Sequence, residues 1–251
     1  MMKPKKTNKC KHLHGFSLVE LLVAMAITAV VMTAVFKIYT TQQNSYLLQE
    51  QVAEMQQNGR TAKYVMTKEI RMAGYDPTGL AKAGFITAGG EIIHFTMDIT
   101  GGDETITVPG DDITYSVFVD DDAVEKLGRN DGSGNQAVVE NIDAVGFAYA
   151  YANEDGNIEK DGDNIVWAID SDPTDTTNQL DEKLDGTVLA SPVDLGRIRA
   201  VRIWLLVRTG NPDRNYTSAN TYVVGNRTIT RSDGNRRQLL ATTVKCRNMA
   251  L

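Results

Sequence analysis

The 251-residue sequence holds only 2 cysteines, 3 histidines and 6 prolines. Two cysteines cannot build a disulfide framework, and so few Cys and His leave no ligand set for a zinc ribbon or finger. Basic charge is short as well. Lys and Arg number 26 against 32 Asp and Glu, a formal net charge of −6. A general nucleic-acid coat needs the opposite sign. Other scarcities are local. No proline falls between Pro4 and Pro77, and Gly59 is the one glycine from Phe16 to Ala73, so little in that stretch breaks a helix. No acid occurs in the first fifteen residues, which carry Lys3, Lys5, Lys6, Lys9 and Lys11.

Enzymatic constellations are equally sparse. His94 stands in an alternating run (IIHFTM) without a second His nearby. No G-x-S-x-G elbow is present, and the pairs Gly89-Gly90 and Gly101-Gly102 lack the Lys-Ser/Thr of a phosphate-binding loop. Carboxylates are abundant, as on any solvated acidic surface. The expectation is a non-enzymatic chain with no cofactor.

What is present begins at the N-terminus. After the lysines and Gly15 comes FSLVELLVAMAITAVVMTAVF, Phe16 to Phe36, in which Glu20 is the single ionisable group. At 1.5 Å per residue this run spans roughly 30 Å, the depth of a bilayer's hydrocarbon core. The lysines before it predict a cytoplasmic N-terminus, with the rest of the chain on the far side. A secretory signal would have a shorter apolar region, about 7–15 residues, ending in a small-residue cleavage site.

The lysine-rich leader, Gly15, Phe16 and then Ser17-Leu18-Val19-Glu20-Leu21-Leu22-Val23-Ala24 resemble the type III signal of type IV pilins and pseudopilins. The resemblance implies that a prepilin peptidase cuts between Gly15 and Phe16 and N-methylates Phe16. It also puts Glu20 at the position where the family keeps a carboxylate. A carboxylate inside a membrane span is costly and seeks a partner. The amine freed at Phe16, on a neighbouring subunit or in the same chain, would be one. Glu20 is thus the expected register carboxylate of assembly. Loss of the leader would leave a chain of net charge −11 with one cysteine, Cys246, and one histidine, His94. Cys246, in a strand-like run, reads as a buried small hydrophobe rather than a reactive thiol.

Beyond the apolar run, Leu48, Val52, Met55, Gly59, Ala62, Met66, Ile70 and Ala73 recur at spacings of three and four, one stripe of an amphipathic helix that Gly74 and Pro77 should stop. A helix from Phe16 to Ala73 would be roughly 87 Å long. Downstream the period becomes two. Strands are expected at Ile92–Met97, Glu104–Val108, Ile113–Val119, Gln136–Glu140, Asp143–Tyr151, around Val201–Arg208, and at Gln238–Cys246. The small face of Asp143–Tyr151 (Ala144, Gly146, Ala148, Ala150) would let a helix approach closely. Asp170 to Asp194 reads as a long surface loop.

The expected fold class is α+β: a long N-terminal helix, membrane-spanning in its first half, packed on an antiparallel β-sheet, the pilin fold that the resemblance implies. The expected organisation is a cleaved leader (1–15), a transmembrane and assembly half-helix (16–36), an amphipathic half-helix (37–75) and a periplasmic β-rich domain (76–251). Leu127-Gly128-Arg129, Gln136–Asn157, Arg197–Thr209 and Arg236–Asn248 in that order resemble PilW-type minor pilins, and are also similar to the J-type minor pseudopilin of type II secretion. The resemblance implies a minor pilin that helps initiate filament assembly. Its partners would be other minor and major pilins, the prepilin peptidase, the inner-membrane assembly platform and the lipid bilayer. It would sit in the inner membrane as a single-pass protein and then in the pilus at the cell surface.

Charge is segregated along the chain. Residues 16–75 carry net +1, residues 76–196 net −21, and residues 197–251 net +9. Three readings stand: basic terminal strands pairing with the acidic middle inside one fold, complementarity between subunits, or a basic DNA-capturing face built on Arg227, Arg231, Arg236 and Arg237. Nucleic acid is the least expected partner. The acidic loops Asp120-Asp121-Asp122, Asn130-Asp131-Gly132 and Asn153–Asn164 invite a weak calcium reading, with Asp155, Asp161 and Asp163 as oxygen ligands. None has the EF-hand register, however, and Asp-Gly and Asn-Gly are also ordinary turn chemistry.

Overall fold

Absence of proline is realised as one uninterrupted helix. The computed structural model describes residues 15–99, 106, 109–121, 123–175, 177–213 and 215–250, and in it α1 runs Leu18–Ile70. Its end is a backbone event: Gly74 takes φ +74°, a conformation that favours glycine, and its N–H reaches the Thr96 carbonyl at 3.0 Å. Contacts divide the chain into two units, one ending at Gln49 and one beginning at Glu50.

In the second unit the apolar stripe finds its partner. Met55, Gly59, Ala62, Met66 and Ile70 are buried, and Ala73 joins them in the core. Val52 is half-buried against it.

Among the described residues, fifteen strands make four antiparallel sheets. The first is a meander of β1 (Phe85–Ala88), β2 (Ile93–Thr96), β3 (Asp112–Val119), β4 (Glu125–Asn130) and β5 (Asn135–Glu140). The second collects β6 (Ile142–Tyr151), β9 (Ala168–Ile169), β10 (Gln179–Lys183), β11 (Val188–Asp194), β12 (Ile198–Arg208) and β15 (Arg237–Lys245), in the order β11-β10-β9-β6-β12-β15. Two ribbons remain, β7–β8 (Lys160–Asp161 with Asn164–Ile165) and β13–β14 (Ser218–Val224 with Arg227–Asp233). A parallel bridge, Gly89 to Asp170, ties the first sheet to the second. The expected strand at Glu104–Val108 lies outside the described residues apart from Ile106.

Two expectations need correction. The segment Asp170–Asp194 is not a long loop: β10 and β11 pair there, Leu180 opposite Val193, with Leu180 fully buried. Its polar composition concealed an edge hairpin, where only alternate side chains must be apolar and proline is tolerated, as Pro192 is on the edge strand β11. The small face of β6 also takes a different partner. A Cβ on Gly146 would stand 3.0 Å from the Gly225 backbone nitrogen and from a Val224 methyl. The tip of the β13–β14 ribbon therefore covers that face. The helix lies on the opposite, large-residue side, where a Cβ on Gly59 would stand 2.5 Å from Leu240 Cδ1 and 3.5 Å from Val207. Register explains the choice: Val145, Phe147 and Tyr149 line up with Leu205, Ile203 and Val201 of β12, and Leu205 with Leu240 of β15. That makes one continuous apolar face wide enough for a helix.

Candidate assembly interface

The first turns of α1 combine a greasy surface with one organised carboxylate. Phe16 is 89% exposed, and Leu18, Val30 and Phe36 are also open. The helix contains an 18-residue stretch of mean hydropathy 2.4, none of it buried by the described residues. Polar side chains inside this stretch satisfy themselves. The Thr28 hydroxyl donates to the Ala24 carbonyl at 2.7 Å and Thr33 to Ala29 at 2.8 Å, as an apolar surrounding requires. At the start, the Ser17 N–H donates to Glu20 Oε2 at 3.0 Å and the Glu20 N–H donates to Ser17 Oγ at 3.2 Å. This reciprocal pair is a capping box. Ser17 was missed in the sequence, although its Ser-x-x-Glu spacing before an apolar run is the signal for it. Gly15 and Phe16 precede the helix in non-helical backbone, next to the cap.

The segregated charges meet inside the fold. Asp143 at the start of β6, its side chain 2% exposed, is ion-paired to Arg208 at 2.8 Å, Arg231 at 3.7 Å and Arg237. Arg237, itself 3% exposed, also takes Asp233 with two guanidinium nitrogens at 2.6 and 2.7 Å. That guanidinium holds Asp233 down at a pKa of about 2. Arg227 pairs with Glu91 at 2.6 Å and donates to the Val145 carbonyl. Arg236 pairs with Asp213 at 3.1 Å and lies over the Tyr216 ring. A second cluster fastens the end of α1. Glu69 accepts from Tyr115 at 2.5 Å and from Arg129 at 3.1 Å with both oxygens, and Arg129 continues to Asp131 at 2.9 Å. Burial and the Glu69 carboxylate both push the Tyr115 phenol well above its ordinary value.

The sequence matches two family models. Residues 10–36 match the prokaryotic N-terminal methylation motif, and residues 114–248 match the type IV pilus-assembly protein W, covering more than half of the chain. The chain belongs to the PilW family. Among solved structures, a type IV-like pilin from Thermus thermophilus is similar at 15% identity over 81% of this chain and 98% of that one, with a TM-score of 0.41. A search of curated proteins finds no match.

PilW-family proteins belong to the structural, non-enzymatic pilins, and the methylation motif with its apolar helix fits a membrane-anchored pilin. The remaining sequence candidates fall into place around that. All four arginines of the DNA reading, Arg227, Arg231, Arg236 and Arg237, hold carboxylates of their own chain. His94 Nε2 meets Asp112 Oδ1 at 2.6 Å across two neighbouring strands. Burial pushes the Cys246 thiol up to about 12, so it stays a protonated, inert group. Asp155, Asp161 and Asp163 are all exposed. Asn153 Oδ1 accepts from the backbones of Asp155 and Asn157, and Asp161 pairs with Asn164 across a tight turn with Gly162 at φ +61°. Among the described residues no group of three or more His, Cys, Asp or Glu converges on a metal position.

Proposed function

We propose that this PilW-family chain is a minor pilin of a type IV pilus that helps initiate or prime filament assembly. Residues 1–15 are its leader, 16–36 its membrane and assembly half-helix, 37–75 the amphipathic half, and 76–251 a periplasmic β-rich domain. Cleavage between Gly15 and Phe16 exposes an amine that is N-methylated, and Glu20 sets register by pairing with such an amine in the filament. Before assembly the chain spans the inner membrane once, and afterwards it lies in the pilus. Its partners are other pilins, the prepilin peptidase and the assembly platform.

The observation that carries this reading is the presence in one chain of a methylation motif (10–36) and a PilW match (114–248), with an unbroken helix, α1, whose apolar leading stretch no described residue covers. Intact-mass analysis of the membrane form tests it. A species beginning at methylated Phe16 is expected, and assembled filaments retaining Met1 through Gly15 overturn it. Register by Glu20 is tested separately: Glu20→Ala should assemble poorly, and assembly at the wild-type level refutes that role.

The order of the C-terminal strands, with Arg247-Asn248 closing the fold, supports a second reading as a J-type pseudopilin of type II secretion. Deleting the chromosomal copy separates the two, because loss of pili answers one and loss of protein secretion the other.

A further inference from the structure

Outside its buried stripe, α1 carries another that the described residues leave exposed. Arg60, Tyr64 and Lys68 succeed one another at four-residue spacing, and Arg71 extends the line into the closing turn. All four are exposed, Tyr64 at 69%. None of the three cations forms an ion pair among the described residues, and Glu69, the acid nearest them in sequence, is turned to Arg129 and Tyr115. The helix dipole accounts for cations only in the last turn, whereas Arg60 stands almost three turns before Ile70. Exposed Tyr64 beside Arg60 pairs two residue types enriched at binding hot spots.

A complementary surface lies on the same chain. Residues 154–194 carry 12 carboxylates and 2 lysines. Within that segment Ile165, Trp167 and Leu184 form the apolar floor of a shallow groove, with Asp161 and Asp185 exposed at its rim and Lys183 also lining it. Asp161 and Asp185 form no ion pair among the described residues. The Thr187 hydroxyl and N–H keep the Asp185 carboxyl below its usual range, so it is charged at neutral pH.

We propose that the Arg60–Tyr64–Lys68 stripe docks on this groove of a second copy of the chain. Tyr64 sits on the floor, and the two cations, one turn to either side, meet Asp161 and Asp185. The contact is heterologous: it joins the stripe of one copy to the groove of the other. It rests on the filament-subunit reading above.

Sedimentation velocity of the full chain in non-ionic detergent, at low and high salt, tests it. The wild type should self-associate at low salt and dissociate as salt rises. Arg60→Glu with Lys68→Glu should weaken association about tenfold or more, as should Asp161→Lys with Asp185→Lys, while both variants keep the wild-type melting temperature because all four positions are exposed. An equimolar mixture of the two variants should associate again, since each supplies the charge the other has lost. Micelle fusion through the apolar half-helix would respond neither to salt nor to these changes. The proposal is overturned if the wild type shows no salt-sensitive association, if the mixture fails to associate, or if the stripe instead binds a DNA duplex that Arg60→Glu with Lys68→Glu releases. Normal processing to methylated Phe16 without self-association would remove the docking surface and leave the pilin reading standing. A chain that is never processed would remove the pilin reading itself.

Discussion

The two halves of α1 hide their apolar side chains in different places. Upstream, Leu18, Val30 and Phe36 are 74%, 72% and 69% exposed, and the apolar residues run round the whole helix. Downstream, Ala62, Met66 and Ile70 are fully buried along one stripe, with polar and charged residues elsewhere. Backbone geometry is the same in both. Periodicity is what differs: a helix apolar on all sides has no preferred face for its own domain and must be covered by lipid or other subunits, whereas a striped one is claimed by its own sheet. Stability of the folded unit should therefore depend on the downstream half and the sheets beneath it, and assembly on the upstream half.

The largest break in that contrast is expected at Asp143. Removing a carboxylate whose side chain is 2% exposed takes the shared partner from Arg208, Arg231 and the almost equally buried Arg237, which is left with Asp233 as its carboxylate partner. Asp143→Ala should destabilise the folded unit by about 3–5 kcal/mol, read as a drop in melting temperature of the full chain in detergent. Glu20→Ala, measured the same way, should leave that temperature unchanged while impairing assembly. Equal losses of stability from the two would abolish the distinction between the halves.

Next comes the helix itself. At Gly59 a larger side chain must displace both Leu240 and Val207, so Gly59→Leu should cost about 2–3 kcal/mol. Gly59→Ala should be near neutral, because the Leu240 methyl can swing aside and alanine favours the helix by about 1 kcal/mol. Ala34→Leu, on the exposed upstream half, should not move the melting temperature at all. If it did, the upstream half would have a partner within its own chain.

A pH scan sharpens the picture inside the β-rich unit, where two aspartates are shifted in opposite directions. Asp170 is 3% exposed, its Oδ2 lacks a hydrogen-bond partner among the described residues, and burial raises its pKa to about 6. Its ionised form therefore opposes folding above about pH 6, and that penalty fades as pH falls towards the ordinary aspartate value near 4. Asp233, held at about 2 by Arg237, contributes stability above about pH 4 that is lost as pH falls from there towards 2. Asp170→Asn should raise the melting temperature at pH 7 but not at pH 4. Asp233→Asn should lower it at pH 7 and converge with the wild type near pH 2. Thermal melts across this range check both signs.

Most of α1 was legible in the sequence because helix periodicity and the absence of proline are local facts. The strong strands β6, β12 and β15 were legible for the same reason, each alternating over nine residues or more. The β10–β11 hairpin was not, since its pairing is non-local and its outward residues are acidic. Nor was the side of β6 that meets the helix: the sequence shows two faces, one small and one large, but the large face became the helix seat only once Leu205, Val207 and Leu240 were aligned beside it. The charge blocks pointed to complementarity without saying which arginine would find Asp143. Gly15, Phe16 and Glu20 were singled out by the resemblance of their stretch to the pilin signal, whereas the Glu69–Tyr115–Arg129 fastening joins residues 46 and 60 positions apart and leaves no sequence pattern.

The smallest expected effect lies at the first turn, where the upstream half makes its own local bond. Ser17 and Glu20 each satisfy a backbone donor of the other, so the carboxylate expected to pair between subunits is already engaged within its own chain. Ser17→Ala removes one arm of the box and should cost about 0.5–1 kcal/mol of helix stability. A loss of that size would be confined to the first turn and invisible in the melting temperature. Amide hydrogen exchange at Leu18 to Leu21 in detergent should show it as severalfold faster exchange, with residues after Glu50 unchanged. Glu20→Gln, which keeps an acceptor for the Ser17 N–H but loses the charge, should exchange nearly as slowly as the wild type and yet assemble poorly. That pair of results would separate the cap from the intersubunit charge, because the first needs only a lone pair and the second needs an anion.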